Sequence, residues 1–240
     1  MTAAPERPPW QRGLALTLAA LLTFAFAGLG IWQLQRLGWK LDLIAQVEAR
    51  LRAAPESLDA LLARPPEDRA YRRVTVRGRF DHQAETLVQA VTERGGGYWV
   101  LTPLTTGDGQ VLLVNRGFVA PERADPQSRA EGQITGPVSI TGLARLTEPK
   151  GAFLRSNDPA GNRWYSRDVQ AIAAARGLGP VAPVFLDADA TPIPGGEPVG
   201  GLTVIAFRNT HLVYALTWFT LAGIAAAGTV LLHREGGRRR

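Results

Sequence analysis

His211 stands at the mouth of an uncharged apolar run, Leu212 to Leu232, long enough for a helix to cross a bilayer. An ionisable side chain at the end of a membrane helix is a candidate functional group. The alternative is a histidine resting among lipid headgroups. At helical spacing Tyr214, Ala215, Trp218, Ala222, Ala225 and Thr229 fall on the same side as His211. Small residues on such a face admit another helix or a flat ligand. Aromatic residues near a boundary are ordinary interfacial anchors, a role that suits Tyr214 better than Trp218, which lies about two turns into the helix. A neutral imidazole beside aromatic and small side chains is chemically suited to ligate haem iron, and Arg208, one turn earlier, can pair with a haem propionate. Periodicity alone leaves haem ligation and helix packing both open.

Other residue types with chemistry in them form no enzymatic set. The chain has no Gly-x-Ser-x-Gly elbow and no Walker loop. Gly95-Gly96-Gly97 falls in an expected hairpin rather than between a strand and a helix, so it is no phosphate cradle. Asp187 and Asp189 read as a solvated turn at a strand end, and His82 as an exposed turn between strands. His233 lies among arginines at the far end of the apolar run, where topology or headgroup contact accounts for it. Cysteine is absent, which excludes disulfides, thiolate metal sites and thiol redox chemistry. The three histidines are far apart and make no ligand cluster at helical spacing. The expectation is a protein that is not an enzyme.

A net charge of +6 raises nucleic-acid binding. Its distribution removes that class. Residues 41–207 hold 18 basic and 19 acidic side chains, and the surplus sits at Arg7, Arg12, Arg36, Lys40, Arg208, Arg234, Arg238, Arg239 and Arg240. Charges flanking membrane helices act as topology signals and lipid headgroup contacts.

A second apolar run, Leu14 to Trp32 inside a charge-free window from Gly13 to Gln35, is also long enough to span. Arg7, Arg12 and Ala25-Phe26-Ala27 resemble a cleavable signal, but apolarity continues past that site to Ile31 and Trp32, which favours a retained helix. Mature protein beginning near Gly28 would overturn the two-span arrangement. Charges on both sides leave the first helix ambiguous, whereas Arg234 and Arg238–Arg240 after the second, against Arg208 before it, place the C-terminus in the cytoplasm. Two spans then put the N-terminus on the same side and the intervening segment outside, in the periplasm of a bacterium.

The elements that position these residues follow from periodicity. Leu34, Leu37, Leu41, Ile44 and Leu51 extend the first helix as a stalk that Pro55 ends. Ser57 caps a short helix over 57–63. From Tyr71 the period becomes two. Strands are expected over 71–80, 85–91, 98–105, 110–119, 137–146 and 183–186. Gly95–Gly97 and Gly107-Asp108-Gly109 serve as turns. The segment 148–163 reads as a loop, 168–176 as a short helix and 192–201 as a Pro/Gly linker. The fold class expected is a membrane protein: two transmembrane helices flanking a periplasmic α+β domain built on a mainly antiparallel β-sheet. Its organisation is a cytoplasmic tail over 1–12, a transmembrane helix over 13–35, a periplasmic domain over 36–207 with its stalk at 36–54, a second transmembrane helix over 208–232 with His211 at its outer end, and an Arg-rich cytoplasmic tail over 233–240.

Several motifs resemble, nearly end to end, the Surfeit locus protein 1 family of cytochrome c oxidase assembly factors. They are Gly30-Ile31-Trp32-Gln33-Leu34-Gln35-Arg36 with Trp39-Lys40, Tyr71-Arg72-Arg73-Val74, Gly78-Arg79-Phe80-Asp81-His82, Thr102-Pro103-Leu104, Val114-Asn115-Arg116-Gly117-Phe118-Val119, Asn157-Asp158, Trp164-Tyr165-Ser166-Arg167-Asp168 and the stretch from Arg208 to Ala222. Each is weak alone; their order and two-helix frame carry the resemblance. Phe118 departs from it, since the family usually has Trp there. The resemblance implies a bacterial inner-membrane protein that binds haem a and assists its insertion into the large subunit of a haem–copper oxidase. It makes His211 the candidate ligand of the haem iron, with Tyr214, Trp218 and Arg208 as pocket residues. The implied partners are the large oxidase subunit, haem a synthase and membrane lipid, and no nucleic acid. The alternative is a scaffold that stabilises oxidase subunit intermediates through the small-residue face of its second helix and never binds haem.

Overall fold

The computed structural model describes residues 9–152 and 154–237. Arg7 and Arg238–Arg240, assigned above to cytoplasmic tails, lie outside the described residues. The chain divides into two compact units: a helix pair, from residues up to 46 and from 206 onward, and a β-rich domain over 47–205.

The helix pair consists of α1 (Pro9–Arg52) and α4 (His211–Gly237). Both are long and apolar enough to cross a membrane. The expected span and stalk are thus one unbroken helix. On α1 the covered positions recur as Arg12, Leu16, Ala19, Thr23, Phe26, Gly30, Gln33 and Leu37, and on α4 as His211, Ala215, Trp218, Ala222, Ala225 and Thr229. Alternating steps of three and four make the seam of a coiled coil. Small side chains let the backbones approach: Ala215 and Ala222 are buried, and a Cβ at Gly30 would lie 2.6 Å from the ring of Phe219. Most outward side chains are exposed aliphatic and aromatic groups, as a lipid-facing surface requires. The hydroxyls of Thr17, Thr23, Thr217, Thr220 and Thr229 donate to carbonyls four residues back, so they are satisfied without water. Arg12 Nη2 donates to the carbonyls of Leu232 and His233, both at 2.9 Å. A cation therefore neutralises the carbonyl end of the antiparallel neighbour.

The β-rich domain contains α2 (Leu58–Leu62), β1 (Arg73–Phe80), β2 (Thr86–Thr92), β3 (Gly95–Thr106), β4 (Val111–Val119), β5 (Pro137–Leu146), the two-residue strands β6 (Gly151–Ala152) and β7 (Arg155–Ser156), α3 (Val169–Arg176) and β8 (Val184–Ala188). Ser57 caps α2 and Asp168 caps α3, each accepting from a backbone N–H three residues on. The main sheet has the order β1-β5-β8-β4-β3-β2, and β1 also pairs with β3 through Gly78↔Thr106 to Phe80↔Leu104. Five strands therefore close into a ring, which leaves them no free edge. All pairs are antiparallel except β4–β8, whose parallel register (Leu113↔Phe185, Asn115↔Asp187) follows from the long return through β5 and α3. One core cluster gathers Val74, Val76, Leu104, Leu112, Val114 and Leu186 with Leu58 and Leu61 of α2. A second, on the alternate face of the same strands, packs Leu101, Leu113 and Phe185 against Trp164, Val169 and Ile172.

Three readings of the loops are corrected. Gly95–Gly97 belong to β3 and pair with Thr92, Val91 and Ala90; the turn is the preceding Glu93-Arg94. Glycine is needed at 97 because a Cβ would strike the Val119 carbonyl and the Phe118 ring. The segment 148–163 carries the β6–β7 hairpin. The supposed linker 192–201 is docked, Val199 exchanging 2.9 Å backbone bonds with Phe118 while Gly117, at φ 135°, makes room for the crossing chain.

Candidate functional site

Between Phe26 and Ala222 the seam is apolar, and towards the first turn of α4 it becomes polar. There Gln33, buried on α1, meets His211 at the first turn of α4, with 2.8 Å between imidazole Nδ1 and amide Oε1. The histidine is placed by its local chain. Asn209 Oδ1 accepts from the His211 N–H at 3.3 Å, and α4 opens with Tyr214 N–H donating to Thr210 O. A neutral imidazole that donates from Nδ1 to this carbonyl oxygen keeps a lone pair on Nε2. Among the described residues Nε2 makes no hydrogen bond. A half-covered imidazole with one nitrogen fixed and the other free can accept a proton bond or bind a soft metal centre such as haem iron. The donor set fits a single axial ligand.

Of the residues expected around His211, Trp218 lies on the seam, stacked on Phe26 at 5.7 Å between centroids and 25° between planes. Ala215 and Ala222 are covered by α1. Tyr214 does not join the seam: it is 53% exposed, one turn along the outer side of α4. Arg208 is exposed in the non-helical approach to α4. At the same end of the pair, the Arg36 guanidinium lies 4.8 Å over Trp39 and the Lys40 ammonium 5.3 Å over Phe207. Gln33 was missed as a site residue. The available signal was a polar side chain inside an apolar run, at the same three- and four-residue steps as Phe26 and Gly30.

Motif residues of the β-rich domain go to a different use. Asp187 is 2% exposed, which corrects its reading as a solvated turn. It shares the face of Phe185, so it points into the layer beneath α3. Its carboxylate accepts from Asn115 Nδ2 at 2.7 Å, Arg145 Nη1 at 3.1 Å and Arg167 Nη1 at 3.1 Å. Arg167 also donates to Glu148 at 2.5 Å and lies over the Phe185 ring. Burial pushes the Arg167 pKa down, but the Glu148 bond and the Asp187 charge outweigh it and hold the guanidinium above its ordinary value. Asp189 instead turns out to bond Thr191, as an exposed turn residue would.

His82 is likewise half-buried rather than exposed. Its Nε2 lies 2.9 Å from the Ile134 carbonyl and its Nδ1 3.4 Å from Arg116. Arg116 follows Leu112 and Val114 on the inward face of β4, lies 5.1 Å over Phe80, donates to the Gly132 carbonyl and stands 3.7 Å from Glu85. Glu85 is held bidentately by buried Arg129. Burial, aided by the Arg129 charge and opposed by Glu85, lowers the Arg116 pKa to about 10. Burial also lowers that of His82, with the Arg116 charge acting in the same direction and the Ile134 bond against it.

Known proteins resemble this chain over most of its length. The SURF1 family model matches residues 20–223. The chain is 40% identical to Surfeit locus protein 1 of Rattus norvegicus over 230 residues, 88% of this chain and 72% of that protein. It is 42% identical to Surfeit locus protein 1 of Homo sapiens, over 87% of this chain and 73% of that one. A SURF1-like protein of Monosiga brevicollis is 42% identical over 94% of this chain and 88% of its own length.

Proposed function

The chain belongs to the SURF1 family, and from that premise we propose that it is a non-enzymatic assembly factor for a haem–copper terminal oxidase, cytochrome c oxidase. It binds haem a and assists its insertion into the large oxidase subunit. Family membership supports the role in oxidase assembly. The haem role is carried by one observation: His211, at the first turn of α4, has Nδ1 engaged by Gln33 and Nε2 without a hydrogen bond among the described residues. His211 would hold the iron through Nε2. Arg208, three residues before it and exposed, would meet a propionate, and Tyr214 offers an exposed aromatic face one turn on. Bound haem would supply iron to accept the Nε2 lone pair. The protein's part is to hold the group through a single iron ligand and these flanking contacts, weakly enough for release to the large subunit; haem a synthase is the proposed donor.

The setting proposed is a bacterial inner membrane, with both termini cytoplasmic and the β-rich domain periplasmic. Arg12 beside the α4 carbonyl end and Arg234 after it support that orientation. The named relatives are eukaryotic, and the charge argument applies to any membrane with that bias.

The scaffold alternative drew on the small-residue face of α4. That face is covered by the chain's own α1 at Ala215 and Ala222, so a partner must use another surface. The functional test is oxidase built in cells carrying only His211→Ala. The expected result is large subunit with reduced haem a content although the variant inserts normally. Normal haem a content would refute a His211-dependent insertion role.

A further inference from the structure

We infer that Gln33 is a positioning residue for His211: its amide oxygen selects the imidazole tautomer with the proton on Nδ1 and thereby presents Nε2 as the ligating atom. The inference rests on the haem-ligand reading of His211 for its functional part. Its structural part stands on the helix pair alone.

A neutral histidine side chain in water prefers to carry its proton on Nε2, the tautomer in which Nε2 cannot ligate. The reverse tautomer has to be imposed by an acceptor placed at Nδ1. Gln33 Oε1 is that acceptor, 2.8 Å away and 178 positions distant in the chain. It is carried there by the seam. Gln33 is buried on α1, one turn from Gly30, whose missing side chain admits the Phe219 ring. Ala215, one turn beyond His211, is buried against the same helix. Close approach of the helices at these small residues brings an amide and an imidazole within bonding distance. Metal-ligating histidines generally donate their second N–H to an oxygen acceptor that fixes ring and tautomer, and loss of that acceptor weakens metal affinity by roughly 10–100-fold. Such acceptors are often backbone carbonyls or carboxylates; here a neutral amide does the work inside a membrane helix, where a carboxylate would carry a desolvation penalty.

The experiment uses the full chain in detergent with 15N-labelled histidine. Nitrogen chemical shifts assign the His211 tautomer without haem, and a haem a titration followed in the Soret region gives affinity. Wild type is expected to show the Nδ1–H tautomer. Gln33→Met, of equal length but lacking the oxygen, is expected to shift His211 towards Nε2–H and to weaken haem binding by roughly tenfold or more. Gln33→Glu, which keeps an acceptor, is expected to restore the Nδ1–H form. Gln33→Leu serves as the second apolar variant if the Met variant disturbs the helix pair. An Nε2–H tautomer in wild type, or an unchanged tautomer in both apolar variants, overturns the inference. A shifted tautomer with unchanged haem affinity, while His211→Ala still loses haem, overturns the positioning role and leaves the ligand reading intact. Haem binding retained in His211→Ala defeats the ligand reading, and with it the functional part of this one, whereas the tautomer result still decides the structural part.

Discussion

The helix pair and the β-rich domain both bury polar groups, and they use them in opposite ways. In the domain the clusters around Asp187 and Glu85 are closed on themselves. Asp187 takes three donors, and Glu85 is clasped by Arg129 with Arg116 near. Neither carboxylate is left without donors among the described residues. In the helix pair the single polar contact across the seam near its His211 end satisfies one imidazole nitrogen and leaves the other free. Saturated polar networks hold a fold together, whereas a half-used group marks the place where something else binds. The Asp187 and Glu85 clusters are read accordingly as structural, and His211 as the proposed ligand.

The comparison can be broken most forcefully at Asp187. Asp187→Ala leaves Arg145 and Arg167 facing each other in a buried layer, and is expected to destabilise the β-rich domain by about 3–5 kcal/mol in denaturant unfolding. Haem binding by whatever folded protein remains should be unchanged, and a specific loss of haem binding would erase the distinction between the two regions. Next in size is the seam. Ala215→Leu forces a larger side chain between closely packed helices, at a cost of about 1–3 kcal/mol, and should separate His211 from Gln33. Haem affinity should fall although both residues are intact; cross-linking between cysteines introduced on the two helices would report the separation.

The smallest expected effect is the pH response of His82. Burial depresses its folded pKa below the ordinary 6.5. The unfolded chain therefore takes up the proton first as pH falls. The stability tied to neutral His82 is whole above about 6.5 and declines from there towards the lower folded pKa. Wild type should lose stability relative to His82→Asn between pH 7 and pH 5. A difference independent of pH would mean that His82 is not held neutral.

Much of this was legible from residues close in sequence. Apolar runs announce both long apolar helices, Ser57 and Asp168 mark the starts of α2 and α3, and the Pro137–Leu146 alternation covers the full length of β5. What escaped depends on partners far along the chain. Ring closure through β1 and β3 is a long-range register that alternation cannot specify. Asp187 looked solvated because its Arg145 and Arg167 partners come from other elements. Gly95–Gly97 looked like a turn because glycine also serves where Phe118 crosses. Docking of 192–201 beside Phe118 was hidden by a composition typical of linkers. At the site, His211 was evident as an ionisable group beside an apolar run, but Gln33 was not, because only helix pairing reveals what faces it. Tyr214 was grouped with His211 by angle, and the seam proved narrower than that grouping.

The most direct test of the central claim is the visible spectrum of the detergent-purified protein from cells that make haem a, beside that of His211→Ala. The account predicts the Soret and α bands of haem a in the wild type and their loss in a variant that still folds and inserts. Equal haem a bands in both proteins, or none in the wild type, would contradict it.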